Sequence, residues 1–414
     1  MSPYPSSFTQ WVGDNVDHNT GTIDGRGSFH GMGVIAISTN TAAGREVLKS
    51  TAVKCLARRP AQEVTANLGI PILTYMPERN GLASISFGNV KDLLNSDSLS
   101  VSMDTDLLWS TGWLFPDSAH PRTNWSGFMQ LVSKGSHSAT CPNVAFLPIT
   151  DLNPGDPHCI YSTLSFVERQ AKKLNVQDAC VTFDQPLWLK AVEIVASSSM
   201  NVVCRLGAFH LMMSFLGSIG TLMNGSGLCD ALELCYGPNA VLHMMSGKHV
   251  SRAVRGHFLA DAAVTVTLLK HILPTDDEEC DTANDESSGT GRLTAAEVNS
   301  LISTFNSVIE GQMDPSDSFC SDIMMKVSVL WRDLEEKLSA ESRTVELWLL
   351  YLYHMHTLKM FLHAERTGDW ELHLVAVSRM LNLFAATGHN QYARCARLYL
   401  QICLLYTSPS TRDS

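Results

Sequence analysis

The chain has 414 residues, 45% apolar and 17% charged, a globular composition that excludes wholesale disorder, collagen and coiled coil. Its net charge of −11 excludes a general polyanion binder, so any nucleic-acid surface must be a local patch. The 11 cysteines include no C-x-x-C pair; buried reduced thiols in an intracellular protein fit better than a disulfide framework or a classical zinc finger.

In chain order, Phe8–Asp14 (FTQWVGD) reads as a strand. Asn15–Gly27 is rich in turn residues, and Ser28–Ser38 (SFHGMGVIAIS) reads as the returning strand of a long hairpin. No secretory leader is expected in the Pro/Ser-rich start. Residues 39–140 are irregular: basic residues dot Ala42–Arg59, and Trp109, Trp113 and Trp125 are expected to anchor loops.

Alternation of strand and helix then begins. Val144–Ile149, Ala179–Phe183 and Val202–Phe209 are apolar strands. Ile160–Leu174 has helical period, and Pro186 opens a helix through Ala196. Beyond His210 nearly everything is helical: Leu211–Met223, Asp230–Cys235, Asn239–Met245, His249–Leu273, Ala295–Ile309, Val327–Leu338, Thr344–Ala364 and Trp370–Ala386. The apolar run Phe209–Met223 is too short to span a bilayer and is expected to be a buried helix, so no membrane partner is expected. Seven acids (Asp276, Asp277, Glu278, Glu279, Asp281, Asp285, Glu286) mark 275–291 as a solvated linker.

Hairpin, third strand, helix, strand, helix, strand is the order of an RNase-H-like sheet. The expected fold is therefore α/β: an RNase-H-like mixed sheet with a large all-helical insertion. Residues 1–209 form the core, 210–364 the insertion and 365–402 closing helices that return to the core. Cys403–Asp413 (CLLYTSPSTRD) resembles a translated sequencing-library adapter, so 403–414 is set aside from fold reasoning.

Ligands of such a sheet bind beyond the carboxyl ends of its parallel strands. Asp14 and Asp184 are expected at two of those ends, where paired carboxylates suit Mg²⁺ or Mn²⁺ and phosphoryl transfer. A third acid would come from Glu371, Asp369 or Glu365, with Glu233 an earlier alternative. Each has a plainer reading: Asp14 as a turn residue, Asp184 as a helix cap. His210 ends the last strand, and Asp17 neighbours Asp14. Lys248, Arg252 and Arg255 fall at i, i+4 and i+7, a basic helical stripe suited to phosphates or simply to solvent. A different chemistry, a zinc hydrolase acting on small molecules, would instead gather Asp14, Asp17, His18, His30 and His158 or His210.

Several blocks resemble multicopy, transposon-like proteins of aquatic animals: Asp14–Ala36, Thr182–Lys190 (TFDQPLWLK), Arg205–Gly220, Gly225–Leu228, Ser246–Asp261 and Glu365–Leu374 (ERTGDWELHL). More widely, the chain resembles RNase-H-like transposases of the hAT and Mutator-like kinds. That resemblance implies a first acid at Asp14, a second at Asp184, a last Glu at 371 or 365, and His210 as the His of a Cys/His element. Cys204 does not stand at the usual short spacing from His210. The implied activity is metal-dependent transposition or cleavage of DNA in the nucleus, by a chain that could self-associate. A copy that kept the fold and lost catalysis would remain as an interaction protein.

Overall fold

The computed structural model describes residues 8–19, 28–39, 69–84, 98–115, 123–132, 143–176, 178–274, 291–314, 317 and 321–407. The expected turn at 20–27, the basic stretch 42–59, the acidic linker at 275–290 and residues 408–414 lie outside them. The chain is mixed α/β and divides into two compact units.

The first unit takes in residues 1–88, 138–211 and 401–414. Its sheet has five strands: β1 (Phe8–Asn19), β2 (Ser28–Thr39), β3 (Asn143–Phe146), β4 (Ala179–Phe183) and β5 (Val202–Leu206), in the order β3-β2-β1-β4-β5. β1 and β2 pair antiparallel over twelve positions, from Phe8 opposite Thr39 to Asn19 opposite Ser28. β2 is antiparallel to β3, while β1–β4 and β4–β5 are parallel. The parallel connections are helical, as a crossover between parallel strands requires. They are α3 (Pro157–Lys173) and α4 (Gln185–Ala196), numbered after two helices of the other unit.

Both helices start as their sequences direct. Asp156 caps α3 by accepting from the His158 amide (2.8 Å), and Asp184 caps α4 by accepting from the Leu187 amide (3.1 Å). Pro157 and Pro186 occupy first-turn positions, where the missing N–H costs nothing. Alternate residues of β4 and β5 are buried: Ala179, Val181, Phe183, then Val202, Cys204, Leu206. Trp11 and Trp188 complete this core, each burying area worth about 2–3 kcal/mol. Residues 69–84 are tied to α3 and α4: the Leu73 amide donates to Ser162 Oγ, and the Glu78 and Arg79 amides to the Ser197 carbonyl.

The second unit takes in 89–137 and 212–400 and is helical. It contains α1 (Ser98–Leu114) and α2 (Trp125–Val132), then α6 (Leu228–Glu233), α7 (Pro238–Met245), α8 (Val250–Leu269), α9 (Ala295–Ile309), α10 (Asp322–Glu341), α11 (Arg343–Thr367) and α12 (Trp370–Ala386). The unit boundary falls inside α5 (Ala208–Leu222), and α13 (Asn390–Thr407) extends into the segment set aside as foreign as far as Thr407, with Cys403 buried. Trp109 and Trp113 sit on α1 and Trp125 opens α2, where loops were expected. Residues 365–402, expected to return to the sheet, cluster with the helical unit as far as Leu400. No described helix is long and apolar enough to cross a membrane.

Candidate functional site

β1 runs five residues past Asp14, to Asn19, because its hairpin with β2 outlasts its pairing with β4. Asp14 is therefore not at a strand tip, as expected, but at the level where the parallel neighbour β4 ends. The β1–β4 register pairs Gln10 with Cys180 and Val12 with Thr182. Two residues further, the same count sets Asp14 opposite Asp184. Side chains alternate between faces with a period of two, so Gln10, Val12 and Asp14 share a face with Thr182. The Gln10 amide bonded to Thr182 Oγ1 at 2.5 Å marks that face.

Asp14 is exposed, and one of its oxygens accepts from the Asn15 amide at 2.8 Å. Asp184 is half-buried. Desolvation pushes its pKa above the ordinary aspartate range; the Leu187 amide pulls it down, the neighbouring Asp14 carboxylate pushes it up, and His210 pulls it down. Asp184, Asp14 and His210, the last in the first turn of α5, thus act on one another electrostatically. A cleft of about 400 Å³ is lined by Asp184 with Asn15, Asp17, Asn153 and Lys190 among others, and not by Asp14 or His210.

The remaining candidates lie elsewhere or are otherwise engaged. Asp17 pairs with His30 across β1 and β2 at 2.7 Å. His158 accepts the Tyr75 amide on Nδ1, and nothing is described of the His18 side chain. Asp369 caps α12 by accepting from the Leu372 amide (2.9 Å), and Glu365 contacts His373 Nδ1 at 2.7 Å. Glu371 and Glu233 are exposed. Glu365, Asp369, Glu371 and Glu233 all belong to the helical unit. Lys248 precedes α8 and is not on it, so the basic stripe reduces to Arg252 and Arg255, one turn apart on the exposed side. Among the described residues, no group of three or more His, Cys, Asp or Glu side chains is placed to hold a metal ion.

A second polar constellation escaped the sequence reading. Asp261 on α8 and Lys359 on α11 are buried in the helical unit, with the largely buried Asp106 of α1 beside them. Lys359 Nζ lies 2.6 Å from Asp261 and 3.6 Å from Asp106, while His356 Nδ1 meets Asp106 at 2.8 Å. Trp125 Nε1 donates to the other Asp106 oxygen at 2.9 Å. Burial alone would lower the Lys359 pKa, but the two carboxylates hold it above the ordinary lysine value. Burial raises Asp106, but Lys359 and His356 more than offset it and leave Asp106 below its ordinary value. Asp261 remains raised by burial despite Lys359. The signal was present: single charges interrupt apolar helical runs at Asp106-Leu-Leu-Trp and at Leu358-Lys359-Met360-Phe361.

The fold and site define a mixed α/β chain with Asp14 on β1 and Asp184 just beyond the end of its parallel neighbour β4. The chain belongs to the family described as a domain of unknown function (DUF8702), whose model matches residues 124–408. That span includes Asp184, His210 and most of the helical unit; β1 and β2, with Asp14, lie before it. No curated protein and no solved structure matches the chain.

Proposed function

We propose that the sheet unit is an RNase-H-like nuclease core, of the kind used by transposases, that carries out metal-dependent phosphoryl transfer on DNA. One observation carries this reading: Asp184 directly follows β4, Asp14 lies on the adjacent parallel strand β1, and the Asp14 charge acts on Asp184, in a sheet ordered β3-β2-β1-β4-β5. The donor set fits a hard divalent cation. Burial first, and the Asp14 charge after it, disfavour the ionised form of Asp184. Asp14 and Asp184 would hold Mg²⁺ or Mn²⁺, which supplies charge neutralisation at the phosphate and a more acidic bound water. The Leu187 amide fixes the orientation of Asp184 through one oxygen and leaves Oδ2 outside that bond. His210 favours the ionised carboxylate. Arg252 and Arg255 would take DNA backbone phosphates, and a DNA-processing role goes with a nuclear location.

The test uses the full chain, supercoiled plasmid and Mn²⁺. Asp184→Asn is informative because asparagine caps a helix as well as aspartate does. We expect Mn²⁺ to raise the Tm of the wild type and to support plasmid nicking. Asp14→Asn and Asp184→Asn should both lose the Mn²⁺ shift and reduce nicking by ~10²-fold or more, with metal-free Tm unchanged or higher. If wild type and both variants respond alike to Mn²⁺, the carboxylate pair is not a metal site. The noncatalytic interaction protein then becomes the better reading.

A further inference from the structure

We propose that the helical unit carries a binding site for a small organic anion, anchored by the guanidinium of Arg379 in a cavity that Asp106, Lys359 and Asp261 also line. The cavity holds about 270 Å³, and α1, α8, α10, α11 and α12 each contribute to its lining. This site is independent of the carboxylate pair on the sheet.

The carboxylates Asp106 and Asp261 and the cations Lys359 and Arg379 line this cavity. The buried carboxylates Asp106 and Asp261 face the buried cation Lys359, helped by His356 and Trp125. Arg379 is the second buried cation, 8% exposed. It is satisfied only by neutral groups: Nε donates to the Tyr353 hydroxyl (2.9 Å), Nη1 to Met360 Sδ (3.2 Å), and the guanidinium lies 4.0 Å from the centre of the Tyr353 ring. Among the described residues, no carboxylate lies within ion-pair distance of it. A guanidinium cannot shed its proton, and a buried charge without a counter-ion is costly. A ligand anion in the adjoining cavity supplies that counter-ion, and a carboxylate matches the fork of the guanidinium.

A second observation points into the same space. His356 gives Nδ1 to Asp106, while its Nε2 is buried without a hydrogen-bond partner. The ring lines the cavity together with Arg379. A ligand oxygen between the two would satisfy both, as a hydroxyl donating to Nε2 or an oxyanion accepting from the imidazolium. Leu107, Leu352 and Trp331 form an apolar wall, which favours an organic body over a bare inorganic ion. Glu335 also lines the cavity, and burial raises its pKa toward the neutral form, which weakens its opposition to an anion.

The experiment is calorimetric titration of the full-length protein with benzoate, its neutral isostere benzamide and its cationic isostere benzamidine. We expect benzoate to bind at least tenfold more tightly than the other two. Arg379→Gln should reduce benzoate affinity tenfold or more, with Arg379→Lys intermediate. His356→Asn retains a donor toward Asp106 and removes Nε2, and should weaken benzoate severalfold. Equal binding of benzoate and benzamide, or tighter binding of benzamidine, overturns the proposal. Should Arg379→Gln fail to fold, the comparison of isosteres on the wild type still decides it, because they differ chiefly in charge.

Discussion

Lys359 shows what a single side chain can hold in place. It is 3% exposed, bridges two buried carboxylates and lies within cation–π distance of Trp109 and Phe258. A buried ion pair adds little over a well-packed apolar alternative, but removing one partner leaves an uncompensated charge. Lys359→Met fills similar volume and abandons both Asp106 and Asp261. We expect a loss of about 3–5 kcal/mol in urea denaturation at neutral pH. Lys359→Met combined with Asp261→Asn should recover part of that loss, because one orphaned charge is then gone. A single variant of wild-type stability would mean that water already screens the cluster. The sign with pH follows from the two shifts. The raised Lys359 contributes stability that is present below the unfolded lysine pKa and is lost as pH rises through the folded one. The lowered Asp106 contributes stability that is present above the unfolded aspartate pKa and is lost as pH falls through the folded one.

Elements form where short-range signals agree, and close approaches between them depend on glycine. Gly220 on α5 meets the Met245 carbonyl at the end of α7, and an added Cβ would overlap that backbone oxygen. Gly247 just beyond has φ +75°, and its Cβ would collide with the Met213 carbonyl. Backbone cannot swing aside as a side chain can, so Gly220→Ala should destabilise the helical unit by about 2–3 kcal/mol, read as a lowered urea midpoint. A change below about 0.5 kcal/mol would show that α5 and α7 can separate. The same locality explains which elements the sequence disclosed. The hairpin, β4 and the capped starts of α3 and α4 carry alternation, Asp caps and proline at the first turn. α1 was missed because Leu107–Gly112 is buried without interruption, so its apolar residues follow no amphipathic period. The extent of β1 beyond Asp14 was missed because Asn15, Asp17 and Asn19 are turn formers held here in a strand by pairing with β2. Asp184 was legible as the acid that follows a strand and caps the next helix, whereas Asp14 lies inside β1; charges in apolar helical runs hinted at the cluster around Lys359, but their meeting depends on packing among helices distant in sequence.

At the scale of the whole molecule, acid tolerance is set by buried groups more than by the net charge of −11. His257 is fully buried, with Nδ1 against the Tyr351 hydroxyl at 3.2 Å and Nε2 unpartnered. Desolvation pushes its pKa down to about 4. His354 is pushed to about 4 as well, first by burial and then by the Arg379 charge. Both histidines are neutral in the folded chain and take up protons readily only when it unfolds. Between pH 6.5 and 4 the unfolded chain therefore binds more protons, and stability falls as pH falls. Complete titration of a group displaced this far is worth up to roughly 3 kcal/mol. Asp104, Asp184, Asp261 and Glu335, raised by burial, act in the opposite direction over part of that range, so the wild-type profile alone mixes two effects. Comparison with His257→Gln separates them, because the carboxylates are common to both proteins. The variant loses packing at every pH but cannot be penalised by protonation at position 257. The stability difference between wild type and variant should therefore shrink, or reverse, by up to roughly 3 kcal/mol as pH falls from 7 to 4. Urea denaturation followed by far-ultraviolet circular dichroism at pH 7, 5.5 and 4.5 measures it. A difference that stays constant across the three would mean that His257 titrates alike in the folded and unfolded chain, and that water reaches Nε2.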